Sequence, residues 1–123
     1  MRKFFLAIAL ATIIVACAKK QEKPEGLLSQ SEMVAFLIDM HIAEARITDL
    51  SVRRDSAVFL FEVMEDSLFK KHNIAHDSIY LASYEYYINN VGEMEKIYSA
   101  VVDSLSLRER LSKMEKEKED EKE

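Results

Sequence analysis

One cysteine, one proline, two glycines and no tryptophan occur in the whole chain of 123 residues. A lone cysteine, Cys17, permits no disulfide within one chain, so the fold must hold by apolar burial. So little glycine and proline leaves little turn chemistry. That argues against hairpin-rich β structure and for helices with short connections. Basic charge is also scarce: 17 Lys+Arg stand against 22 Asp+Glu, for a net charge of −5. Neutralising phosphates needs a basic face, so nucleic acid is not an expected partner. The chain has no glycine-rich phosphate loop, no HExxH and no recognisable nucleophile–base–acid set, and no enzymatic activity is expected.

The apolar residues begin at once. Arg2 and Lys3 precede an apolar run, Phe4 to Ala16, broken only by Thr12. This is the layout of a secretory signal, and its thirteen residues would span about 20 Å of helix, short of a bilayer core. Ile14-Val15-Ala16-Cys17 resembles the bacterial lipobox. The resemblance implies removal of residues 1–16 and acylation of Cys17, the covalent lipid being the only non-protein group expected. Two or three acyl chains anchor stably. The expected location is the cell envelope, on the periplasmic face of the outer membrane. The mature chain then carries 15 basic and 22 acidic residues.

Residues 17–27 read as a lipidated N-terminus and tether with Pro24 and Gly26; ten flexible residues reach about 17 Å. Residues 28–112 read as an all-α domain, a small bundle of three to four helices. Ser29 and Glu32 form a capping box, with Leu28 and Met33 as a staple. Met33, Phe36, Leu37, Met40, Ala43, Ile47 and Leu50 line helix one. Asp55 or Ser56 is the expected cap of helix two, and Lys70, Lys71 and His72 suit its carbonyl end. Asn73 is the expected left-handed stop. Asp77 should cap helix three, and Asn90 with Glu93 should cap helix four. The stripe of helix four is Met94, Ile97, Tyr98, Val101, Leu105 and Leu111. In the tail, residues 113–123, ten of eleven are charged, with both signs mixed. It reads as a solvated extension of helix four or a frayed end.

Asp39, His41 and Glu44 are the most site-like cluster. His41 and Glu44 share a helix face and could co-ligate a metal, while Asp39 lies about 200° round from His41. Two ligands on one helix need others from elsewhere, and the plainer reading is a polar edge with no metal. The spacing of His72 and His76 loses its meaning if Asn73 ends the helix. Tyr80, Tyr84 and Tyr87 recur at helical spacing, as a recognition surface or as a core edge with wet hydroxyls. Val58-Phe59-Leu60-Phe61 cannot all face one core. Either helix two is central and covered on both sides, or part of it is a docking patch. The candidate partner surface is Phe59, Phe61, Tyr80, Tyr84 and Tyr87.

Three blocks of sequence together resemble a known family: EMVAFLIDMHIAEARI at 32–47, KKHNIAHDSIYLASYEYYINN at 70–90 and IYSAVVDSL at 97–105. It is the Bacteroidota lipoprotein family catalogued as domain of unknown function 4296. The likeness rests on Met33, Asp39, His41, Ala43 and Glu44, then on Tyr80, Ser83, Tyr86 and Tyr87, then on Ile97, Tyr98, Val101 and Leu105. Val91 stands where a proline is usual. The resemblance implies a helical periplasmic lipoprotein and no activity.

These readings converge on a lipid-anchored helical module that binds or scaffolds an envelope protein. The alternative is a small-ligand or metal carrier using the His41/Glu44 face. A third reading is self-association through helix four.

Overall fold

The computed structural model describes residues 22–121. The expected signal peptide, Cys17 and the start of the expected tether lie outside the described residues. Four helices follow one another: α1 (Gln30–Asp49), α2 (Arg54–Lys71), α3 (Asp77–Asn89) and α4 (Val91–Asp120). No strand occurs among the described residues, so the chain is all-α.

α1 begins where the capping box predicts. The Glu32 amide donates to the Ser29 hydroxyl at 3.2 Å, and the Ser29 amide donates to the Glu32 carboxylate at 2.7 Å. Two otherwise orphaned donors are thereby satisfied. α1 is the hub of the bundle, with α2 and α4 packed against it and α3 packed on α4. It buries Met33, Phe36, Leu37, Ile38, Met40, Ala43 and Ile47. Leu50, expected on this stripe, is the C-cap and is exposed, because the chain turns away there.

The central-helix reading of α2 is overturned: α2 has no fully buried residue. Phe61 and Leu68 pack partly buried against the core, while Val58, Phe59 and Val63 face solvent. The expected cap is also corrected. Arg53 holds the N-cap position without a side-chain bond, and Asp55 sits in the first turn, where its charge suits the helix dipole. The far end behaves as predicted. Asn73 adopts φ 56°. Its amide reaches the Lys70 carbonyl at 3.2 Å, and the Ile74 amide reaches the Phe69 carbonyl at 2.8 Å. This is the Schellman arrangement, completed by burial of Ile74.

α3 starts at Asp77, not after it; His76 is the N-cap and gives no side-chain bond. The Asp77 carboxylate accepts from the Ser78 amide instead, at 2.7 Å. The capping box expected at Asn90 and Glu93 does not form, since the Asn90 side chain makes no cap bond. Its amide group donates back to the Tyr86 carbonyl at 2.7 Å, closing the end of α3. α4 buries Met94, Ile97 and Val101, with Leu105 partly buried against the core. Tyr98 and Leu111 of the expected stripe are exposed. The charged tail continues α4 as exposed helix to Asp120.

Candidate functional site

The end of α2 and the middle of α1 meet at Asp39. The Schellman turn leaves His72 at the C-cap, and its Nε2 lies 2.8 Å from the Asp39 carboxylate. The Lys71 ammonium donates to the same oxygen at 2.7 Å. The His72 ring also stands edge-on to Phe36, which stacks on Phe69 with centroids 5.3 Å apart. Burial pushes the Asp39 carboxyl up. The Lys71 and His72 hydrogen bonds, helped by nearby positive charge, outweigh it and hold the group below the usual aspartate value. Asp39 is thus a fixed anion that ties α1 to α2.

His41 and Glu44 lie elsewhere on α1, as the 100° turn per residue requires. The His41 Nδ1 lies 3.1 Å from the Glu44 carboxylate, and both side chains are close to half exposed. The predicted trio is therefore split: Asp39 joins His72 and Lys71, while His41 and Glu44 meet each other. Among the described residues no three His, Cys, Asp or Glu side chains converge to hold a metal.

Beside Asp39 runs a groove of about 860 Å³ between α1 and α4. Val34, Ala35, Ile38, Ile97 and Ala100 contribute its apolar lining, Lys71, Lys96 and Arg108 its cationic part, and His72 lies beside them.

The tyrosines divide. Tyr87 is only 1 % exposed, so it leaves the candidate partner surface and joins the core. Its hydroxyl donates to the Leu28 carbonyl at 2.8 Å. Ser83, which only the family resemblance singled out, is fully buried next to it. The Ser83 hydroxyl accepts from the Leu28 amide at 2.9 Å and donates to the Ile79 carbonyl at 2.6 Å. Both polar atoms of the Leu28 peptide are therefore held by α3. Tyr80 and Tyr84 are half-buried, with Tyr80 packed 4.8 Å from Phe36, centroid to centroid. The Tyr84 hydroxyl meets that of Tyr98 at a long 3.4 Å. Tyr80 and Tyr84 therefore form an edge of the core, packed against it and half-buried.

The outer side of α2 is different in kind. Phe59 is 65 % exposed, with Val58 at 54 % and Val63 at 52 %. Phe59 and Val63 stand one turn apart, on the side away from Phe61 and Leu68. Leu50 and Val52, in the linker before α2, are exposed as well. Ser51 in that linker has φ 49°, an uncommon conformation for a residue with a Cβ. Phe59 alone of the candidate surface aromatics is largely solvent-facing; Phe61 is half-buried.

The family model described as a domain of unknown function (DUF4296) matches residues 24–110. No curated protein and no solved structure matches the chain. The match spans most of the sequence, and the chain belongs to this family.

Proposed function

We propose that this member of the DUF4296 family is a lipid-anchored envelope lipoprotein whose helical body docks a protein partner on the outer face of α2. The observation that carries the reading is the exposure of Val58, Phe59 and Val63 on a helix that buries none of its residues fully. An apolar cluster of this kind is costly to leave in water and is a common mark of an interaction surface. The lipobox-like Ile14-Val15-Ala16-Cys17 supports an anchor at the front. No helix among the described residues is long and apolar enough to cross a membrane, so acyl chains on Cys17 would do the holding. A short tether then keeps the α2 face near the bilayer, where an envelope partner would lie. The periplasmic face of the outer membrane is the proposed site of action.

Binding rather than catalysis fits the polar residues. Asp39, Ser83 and Tyr87 are spent on holding helices and the incoming chain together. The test is photo-crosslinking from position 63 in living cells, with and without Phe59. A discrete adduct that needs Phe59 supports docking; uniform weak labelling of many proteins contradicts it.

A further inference from the structure

We propose that the distal half of α4 pairs with the same segment of a second copy, as a short parallel two-stranded coil in register. α4 has 30 residues, about 45 Å of helix, and from Ser106 to Glu121 every residue is exposed. Within that length Leu107, Leu111 and Met114 are 50 %, 49 % and 52 % exposed. Their spacing of four and then three residues is the spacing of a coiled-coil seam. The seam is not the bundle's own apolar face running on. Leu105 packs against the core, and Leu107 points about 160° away from it around the helix. Nothing within the described chain covers it.

The flanking charges say what does. With Leu111 at the first seam position and Leu107 and Met114 at the second, Asp103 and Arg110 fall on one flank, Arg108 and Glu115 on the other. In a parallel pair in register, each first-flank residue faces the partner residue five places on. Asp103 then meets Arg108 of the second copy, and Arg110 meets Glu115. Both contacts join opposite charges, and the twofold axis repeats each one. All three apolar residues also meet their own kind. In the parallel pair Lys118 faces its own copy, so the apolar seam ends at Met114. Of the antiparallel registers, one sets Arg110 against Arg110 and the other sets Leu107 against Lys118, which breaks the apolar pairing itself. The ion pair that α4 does form here, Lys113 to Glu109 at 2.6 Å, lies on the outer side of the seam. A coil of three apolar side chains is short, so the association is weak and suited to trapping.

The experiment uses the full-length chain in membranes. Lys118→Cys places a thiol on the seam, and Lys116→Cys places one on the outer side of the same turn; the parent chain, with Cys17 alone, is the blank. After mild oxidation, the Lys118→Cys chain should give about tenfold more disulfide dimer than the Lys116→Cys chain, because only seam positions bring two Cα atoms within bonding reach. Sedimentation of the purified chain should show Arg110→Glu weakening the dimer about tenfold, and the double variant Arg110→Glu/Glu115→Arg restoring it. Equal trapping at the two positions, no trapping at either, or a dimer indifferent to Arg110→Glu would overturn the proposal.

Discussion

The Tyr87 hydroxyl donates to the Leu28 carbonyl at 2.8 Å, across 59 residues of chain. With Ser83 on the Leu28 amide, it fixes the point where the tether enters the body. Just ahead of Leu28, Leu27 packs against the core and the Lys23 ammonium lies over the Tyr87 ring, so the clamp gathers the end of the tether as well. Under the proposed anchoring at Cys17, this clamp would set how far the outer face of α2 stands from the membrane.

The two halves of the clamp should differ in strength. Ser83→Ala orphans a buried amide, at a cost of about 1–3 kcal/mol. Tyr87→Phe is milder, about 1 kcal/mol, because the Leu28 carbonyl also accepts from the Lys23 ammonium at 2.5 Å. Urea unfolding of both variants checks the order, Ser83→Ala being the less stable.

Asp39 should give the fold an acid-sensitive joint. Its carboxyl sits below its ordinary value when folded, so the stabilisation is full above the unfolded value of about 3.9. It is lost as pH falls through the lower folded value. Asp39→Asn should therefore be less stable than the parent near neutrality, by about 1–2 kcal/mol, since the Lys71 ammonium loses its charged acceptor and the His72 hydrogen bond is weakened. The difference should shrink steadily below about pH 4. Thermal unfolding of both chains from pH 7 to pH 3 measures it.

His41 and Glu44 should behave as a surface pair. Replacing either by alanine should change stability by less than about 0.5 kcal/mol, the range of exposed pairs. Metal analysis of the untagged protein should find far less than one equivalent, and His41→Ala should not alter it. A near-stoichiometric metal lost on His41→Ala would revive the carrier reading.

How much of this was legible in the sequence follows from how local each signal is. The Ser29–Glu32 box and the Asn73 stop were readable because both are made within a few residues. The Asn90 cap was misjudged because Asn90 is shared by two helix ends, and the end of α3 took its side chain. Four apolar residues in a row on helix two fit either burial on both sides or a docking patch, and spacing alone does not choose between them. Only the packing shows that α1 already supplies the core and leaves Phe59 outside. His41 and Glu44 could be paired from spacing alone, and they do meet. Lys71 and His72 as partners of Asp39 could not be foreseen, since 32 and 33 residues separate them and only the antiparallel return of α2 joins them. Leu111 fits the core stripe of α4 by spacing, yet the bundle ends before it and leaves it exposed with Leu107 and Met114.

Phe59 offers the most direct measurement of the account's central claim. Phe59→Asp should leave the fold intact, within about 0.5 kcal/mol of the parent, because the ring is already in water. Phe36→Ala, by contrast, empties the centre of the core and should cost about 3–5 kcal/mol. The decisive comparison is crosslinking from position 63 in living cells, with and without Phe59→Asp. The account predicts one discrete envelope adduct that disappears in the variant while helicity and melting temperature stay unchanged. An adduct that survives Phe59→Asp, or a variant that unfolds, would contradict the assignment of this face as the docking surface.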